Sequence, residues 1–545
     1  MKKIIYSIFT ILTLSFLDSC SLDDHSYIEI EKKNFMRDAS EAETVLLGVY
    51  ENMTETPMYG YQLSLLFTLG TDQARVQGTS IDAFRDVPSN CYPTTASQVL
   101  TTWQSLYNAI YCANDFIERL SVAVENYSDE DKNLAAVMMA EARTLRALFY
   151  FELVRWYGNV VLMKTTADSR LHPSLYVQSS PQEVYRYIEE DLEYAIRILP
   201  YEADDKYRKN KSYRISKAGA IGLLTKVYAT WAGYPVCDRS KWQKAAATAR
   251  QLVESGKHDL LEDYEQLWKN TSNGVWDPTE SLIEVSFYAR VTSSGDAVGR
   301  IGKWNGVKAV QINTDYIRMD SYWSVLPVFI SKWKTDRADD IRCALSYADY
   351  TYDSKKNKVQ LWTGHTFEDA MKESVDSDGR EKMMALYPAK WDLIKYANSY
   401  LADANYTNTN WYLLRYSDVL LLYAEALNEL NNAPTPDAYA AINKVRSRAG
   451  LAALSGLSCE EFRQAVRDER SYELCFEGHR KQDLIRWGIY YETVRQTRYE
   501  LTGWHNDALD YYLVGEYTTK GKHELLPIPQ RELDLMKQCV QNPNW

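Results

Sequence analysis

The sequence predicts a mainly α protein: a tetratricopeptide-like helical scaffold carrying an irregular, loop-rich subdomain with short strands. Two observations predict it. Long stretches repeat apolar residues at the 3.6-residue helical spacing and are bounded by helix start and stop residues. Two other stretches, 54–97 and 270–410, lack that spacing and are rich in turn-forming residues. Paired helices of this length suggest a superhelix of stacked hairpins, although no clean repeat period is visible.

The chain begins with Lys2 and Lys3 followed by an apolar run from Ile4 to Leu17. A membrane-spanning helix needs about 20 apolar residues, so this run has the length of a signal peptide. It ends at Leu17-Asp18-Ser19-Cys20, which resembles a bacterial lipobox, with Asp18 departing from the usual small residue. The expectation is a leader over 1–19 and a diacylglycerol-bearing Cys20. Residues 20–40 then form a tether, in which Asp23-Asp24 resembles the surface-export signal of Bacteroidota lipoproteins.

Helices are expected near 41–53, 98–120, 132–157, 181–198, 216–232, 241–255, 417–431, 437–449 and 459–487. Ser180-Pro181-Gln182-Glu183 is a capping box with proline at the first helical position, and Ser458-Cys459-Glu460-Glu461 is a second. Gly158, Gly233, Gly256, Gly450 and Gly488 stand where helices should end. Short strands are expected at 281–288 and near 358–363. The expected organisation is an N-terminal helical part over 41–269, the irregular subdomain over 270–410, and a C-terminal helical part over 411–545 completing the same fold. Irregular stretches inside a compact body commonly carry function, so the site is expected there.

Composition narrows the function. A net charge of −12 and the lack of a basic stripe argue against nucleic acid and against docking on anionic lipid. Beyond the leader no segment reaches spanning length. The seven cysteines after Cys20 form no C-x-x-C and read mostly as small core residues. The scattered histidines form no zinc pattern, and no cofactor is expected. There are 42 Tyr and 15 Trp against 13 Phe. That bias favours aromatics with a polar handle, which suit sugar or peptide surfaces as well as helix interfaces.

Several segments then point to one family. Trp103, Leu106, Tyr107, Ile110, Ala113 and Asn114 lie on one helix, and the next carries Glu141, Arg143, Arg146, Tyr150, Arg155, Trp156, Tyr157 and Gly158. Further on come Arg415, Asp418, Glu425 and Asn428, then Asn443, Arg446, Arg448 and Gly450. The run from Arg467 to Gly488 follows, then Leu526-Pro527-Ile528-Pro529 and a Gln541-Asn542-Pro543-Asn544-Trp545 end. In this order and spacing the chain resembles the SusD/RagB family of nutrient-binding outer-membrane lipoproteins, with residues 235–400 similar only in type and length. The resemblance implies a tetratricopeptide-like scaffold and a lid over a SusC-like TonB-dependent transporter. It also implies capture of an oligosaccharide, or in some members a peptide, before import, with no catalysis. The tether would then let the lid swing.

The charged run from Arg467 to Trp487 invites an enzymatic reading. Glu469, Glu473 and Glu477 are four apart and would share one helix face, and paired carboxylates are what glycoside hydrolases use. An arginine stands near each acid, with Arg470/Glu473 and Glu477/Arg480 spaced for pairing on a helix. Such neighbours keep a carboxylate ionised and unfit as a general acid, so an ion-pair network is the expectation, as it is for Glu141, Arg143 and Arg146. Gly299-Arg300-Ile301-Gly302-Lys303 lacks the spacing of a phosphate loop, and Trp304 replaces Ser/Thr. Asp376-Ser377-Asp378-Gly379 begins like a calcium loop, but its twelfth position is Tyr387 instead of Glu. No nucleophile elbow is present.

A sugar site needs flat aromatic faces and a few fixed polar groups. The stretches that correspond to the family's binding loops offer Asp72, Arg75, Asn90 and Tyr92, then Trp304, Tyr316, Tyr322 and Trp323, with Trp362 as a further loop aromatic. The readings left open are a glycan-binding lid, a peptide-binding lid of the RagB type, a glycoside hydrolase, and a purely structural helical scaffold.

Overall fold

The computed structural model describes residues 35–204, 213–288, 297–312, 318–362, 364, 366–373, 385–398, 406–504 and 508–545. The leader, Cys20, the first part of the tether, Tyr316 and the Asp376–Gly379 turn lie outside these residues.

Helices dominate. In chain order α1 is Ala39–Glu51, α2 Ser97–Ala123, α3 Asp129–Tyr157, α4 Pro181–Ile198, α5 Lys217–Ala232, α6 Lys241–Ser255 and α7 Tyr264–Ser272. In the C-terminal part α8 is Tyr416–Asn431, α9 Pro436–Arg448, α10 Cys459–Glu473, α11 Arg480–Arg486 and α12 Tyr490–Leu501. Local chemistry sets many of the ends. The Asp38, Ser128 and Ser216 side chains cap α1, α3 and α5 by accepting from backbone N–H groups in the first turn. Both expected capping boxes form, at α4 and α10. Helix α3 has Asp129, Glu130 and Asp131 in its first turn and Arg155 in its last, each facing the helix-dipole end of opposite sign.

Consecutive helices stack: α2 on α3, α3 on α4, α4 on α5, and α5 on α6. Helix α8 then packs on α6 and on its own neighbours α9 and α10, joining the C-terminal helices to the N-terminal stack through one apolar core. Leu148, Ile188, Ile221, Val419 and Ile442 are wholly buried in it.

The expected helix over 459–487 is two helices. Helix α10 stops at Glu473, and Phe476 and Gly478 take φ of 64° and 81° before α11 begins. The left-handed backbone at these positions cannot continue a helix. A side chain at Gly478 would also press on Trp411 and Thr68 at 3.1 and 3.3 Å.

One short antiparallel ladder ties the two irregular stretches together, and further short pairs form within and beside the second. Strand β1 (Ala74–Val76) pairs with β3 (Trp323–Val325), so that Arg75 faces Ser324 and Val76 faces Trp323. Strand β2 (Ser281–Val285) pairs with β6 (Trp411–Arg415). Strands β4 (Tyr350–Tyr352) and β5 (Lys358–Gln360) form a hairpin. The expected strands at 281–288 and 358–363 are thus present but shorter. The 54–97 stretch holds more than turns, because Gln62–Leu66 forms a fully buried π-helical turn. Among the cysteines, Cys343 and Cys475 are buried, Cys237 is exposed and the others are half-buried; the seven are free thiols.

Candidate ligand-binding site

The acid-rich segment on which the enzymatic reading falls is a buried ion-pair network. The Glu473 carboxylate meets Arg415 at 3.0 Å, Arg342 at 2.9 Å and Arg448 at 2.5 Å, with every partner buried. Glu477 lies beyond the end of α10, off the face it was expected to share, and takes Arg415 at 2.7 Å and Lys390 at 2.8 Å. Glu469 takes Arg337 at 2.6 Å, Arg342 at 2.8 Å and Arg446 at 3.2 Å. The expected network is therefore real, but its partners are not the sequence neighbours. Arg470 binds Asp418 and Asp483 instead of Glu473, and Arg480 binds Asp72 instead of Glu477. Burial alone would raise the Glu473 pKa, but Arg448, Arg415, Arg342 and Lys390 hold it well below the usual range. A carboxylate fixed in this way cannot donate a proton to a glycosidic oxygen. Elsewhere Arg146 grips Asp191 with two 2.8 Å hydrogen bonds and reaches Asn114, while Glu141 pairs with Arg214.

The aromatic site residues behave differently. The β1–β3 ladder carries the backbone past Trp323, Tyr322 and Val76, and the backbone N–H groups of Tyr322 and Trp323 both donate to the carbonyl of Trp304. This brings Trp304 and Tyr322 together with ring centroids 4.3 Å apart. Two aromatics that the sequence reading did not select complete the group. Tyr61 packs edge-on against Trp304 at 4.9 Å, and Phe84 stacks on Tyr322 at 6.2 Å with an interplanar angle of 21°. Together with Leu65, Val76 and Pro88 these rings line a narrow cleft whose closed part holds only about 10 Å³, beneath the exposed ring of Phe84.

Depth sorts the rings. Trp304 and Trp323 are 5% and 4% exposed and form the floor, Tyr322 is half-buried, and Phe84 is 49% exposed. An aromatic that open, stacked on a second ring, gives a flat apolar face edged by polar groups. Those groups include Arg85, which donates to the Gln77 carbonyl at 2.5 Å, and the Gln77 amide. The Arg300 guanidinium lies 4.3 Å from the Trp304 ring centroid and 4.5 Å from that of Tyr61. Arg300 belongs to the stretch dismissed as a phosphate loop. Lys303 in the same stretch is buried and donates to the Arg318 carbonyl.

Of the polar residues anticipated for the site, the structure places four in structural roles. Asp72 accepts two hydrogen bonds from Arg480, at 2.9 and 2.6 Å. Arg75 is 3% exposed, donates to the Val76 carbonyl and lies over Tyr511, and burial lowers its pKa to about 10. Asn90 is buried with φ +57° and donates to the Tyr490 and Thr518 hydroxyls at 2.9 and 2.8 Å. Tyr92 packs under Trp545 and His523 at the C-terminus, with centroids 5.0 and 6.2 Å away. Trp362 packs edge-on against Phe367. Among the selected residues that the structure describes, Trp304, Tyr322 and Trp323 meet in one cleft. The signals that could have added Phe84 and Tyr61 were an apolar ring amid the polar turns of 77–86 and a tyrosine beside Gly60.

Comparison with known proteins places this geometry. Residues 331–545 match the model of the SusD family, and residues 22–229 match a family described as starch-binding, associating with outer membrane. A crystallised SusD homolog from Bacteroides thetaiotaomicron is 53% identical, with a TM-score of 0.90, covering 95% of this chain and 99% of that one. SusD-like protein P2 of Formosa agariphila is 28% identical over 89% of this chain and 91% of its own length. The starch-binding protein SusD of Bacteroides thetaiotaomicron is 27% identical over 74% of this chain and 72% of its own.

Proposed function

The chain belongs to the SusD family, and we propose that it is a surface-exposed, lipid-anchored outer-membrane protein that captures an oligosaccharide and passes it to a partner SusC-like TonB-dependent transporter. The observation that carries this reading is the cleft in which Phe84 and Tyr322 present a stacked apolar face over Trp304. A pyranose ring offers one C–H face and a rim of hydroxyls, and such a platform edged by Arg85 and Gln77 suits it. The binding named for the SusD relative, starch, is of the same chemical class. Ligand contact is assigned to Phe84 and Tyr322, with Trp304 and Trp323 as the floor. The protein is not an enzyme on this reading, since the acids that could have served hydrolysis are committed to Arg415 and its neighbours. Cys20 supplies the anchor, and the stretch from there to α1 is the leash of the lid.

The test is calorimetry against a panel of α- and β-linked oligosaccharides and a pool of short peptides. Binding of at least one oligosaccharide, and no peptide, is expected. Binding of peptides with no glycan would replace this reading with the peptide-capturing one.

A further inference from the structure

Arg300 stands beside the aromatic cleft as a cation held by rings. Its guanidinium lies 4.5 Å from the Tyr61 ring centroid, 4.3 Å from that of Trp304 and 5.6 Å from that of Tyr406. Its backbone N–H donates to the Gly60 carbonyl at 2.9 Å, which sets where the side chain starts. Three aromatic faces and one backbone bond therefore hold the planar fork in place.

The charge of that fork is unanswered. Among the described residues no carboxylate pairs with Arg300, and its Nε is buried without a hydrogen-bond partner. The side chain as a whole is half-buried, and its Nη groups, unlike Nε, meet solvent. The arginines near it are paired. Arg85 takes Asp82, and Arg318, whose carbonyl accepts from Lys303, takes Asp320 at 2.7 Å. Asp86 accepts from the Val87 N–H at 2.7 Å, and burial raises its pKa against that hydrogen bond, as it does where no cation faces a carboxylate. A cation taken partly out of water is costly without an anion, and the aromatic faces offset only part of that cost.

Trp304 is shared between this cation and the platform of the cleft. The Tyr322 ring lies 4.3 Å from the Trp304 centroid, the same separation as the Arg300 guanidinium. One indole therefore spans from Arg300 to the face that Phe84 and Tyr322 present. A saccharide stacked on that face brings a substituent of the stacked ring, or of the next one, toward the Nη groups.

We propose that the oligosaccharide taken by the cleft is acidic, and that Arg300 selects it by pairing with an oxyanion, a carboxylate or a sulfate, carried on a sugar ring. The inference rests on the glycan-capturing reading above and narrows its ligand from glycans in general to anionic ones. The two Nη groups present parallel N–H donors that match two oxygens of one such group. A hydroxymethyl group in the same place supplies one weak acceptor and leaves the charge unmet.

The experiment titrates the mature protein by calorimetry with trigalacturonate and with α-1,4-galactotriose, which differ only in the carboxylate at C6. A hyaluronan tetrasaccharide, carrying uronate alone, and a carrageenan tetrasaccharide, carrying sulfate alone, separate the two oxyanions. Maltotriose, cellotriose and laminaritriose complete the neutral set. At least one acidic ligand is expected to bind about tenfold more tightly than every neutral one at low salt, and to lose most of that advantage in roughly 0.5 M NaCl. Arg300→Met keeps the stem and removes the charge. It is expected to weaken the acidic ligand about tenfold, to abolish its salt dependence and to leave neutral ligands unchanged, with a thermal melt confirming the fold. Arg300→Lys, which keeps a cation against the rings, should lose affinity but retain the salt dependence. Neutral ligands binding as tightly as acidic ones would overturn the inference and leave glycan capture standing. An acidic preference that survives Arg300→Met with its salt dependence would overturn it as well. If no glycan of either kind binds, the proposed function fails, and this inference fails with it.

Discussion

Arg415 and Glu473 lie 3.0 Å apart with side chains 1% and 0% exposed, and they tie β6 to the end of α10. Arg415 also holds Glu280 at 2.5 Å and Glu477 at 2.7 Å, and Glu473 is shared with Arg342 and Arg448. The network thus fastens segments from the middle of the chain to the C-terminal helices. Removing one partner leaves buried charge uncompensated. Glu473→Gln is therefore expected to lower unfolding stability by about 3–5 kcal/mol, measured by denaturant titration. Glycan affinity at a temperature where the variant is folded should be unchanged. An unchanged stability would contradict the structural role.

The cleft makes a different demand. Phe84→Ala and Tyr322→Ala should each weaken oligosaccharide binding about tenfold, with little effect on stability, since Phe84 is half-exposed and Tyr322 half-buried. Asn90→Ala should do the reverse. Its amide bridges Tyr490 and Thr518 inside the fold, so stability should fall by roughly 1–3 kcal/mol while affinity holds. Paired calorimetry and thermal melts on the three variants separate the roles. A glycan defect in Asn90→Ala without a loss of stability would place Asn90 back in the site.

Glu284 carries a pH signature. Burial raises its pKa from 4.5 to about 7, against the hydrogen bonds from Asn410 and Ser281. The folded state therefore keeps a proton that the unfolded chain releases near 4.5. Stability from this group falls as pH rises between about 4.5 and 7, and the full penalty stands above 7. Glu284→Gln should be about as stable as the wild type at pH 4 and more stable, by roughly 1–3 kcal/mol, at pH 8. Equal differences at the two pH values would show that Glu284 is ionised in the fold.

The anchor is tested by fractionation. Cys20→Ala should move the folded, ligand-competent protein from the membrane fraction to the soluble one. Retention in the membrane without the transporter would contradict the lipobox.

What the sequence disclosed follows the range of the interactions. The start of helix α4 is legible because Ser180, Pro181 and Glu183 act within one turn, and the end of α6 because Gly256 takes a left-handed conformation. The break between α10 and α11 was missed because the charged periodicity runs on through it, although Gly478 marked the place. In the cleft, the resemblance to the family's binding loops together with ring type pointed to Trp304 and Tyr322. Their partner Phe84 arrives through the β1–β3 ladder, where Gln77 and Trp323 meet across 246 residues of chain, and no local pattern encodes such a meeting. Arg75, Asn90 and Asp72 looked available because polar residues in turn-rich segments usually are. Their burial and partners come from Tyr511, Tyr490 and Arg480, far along the chain.

The most direct test of glycan capture is a crystal structure of the protein with the tightest-binding oligosaccharide of the panel. The account predicts a pyranose ring stacked on the Phe84–Tyr322 face above Trp304, with hydroxyls reaching Arg85 or Gln77. An oligosaccharide bound at high occupancy elsewhere, with that face left bare, would contradict it.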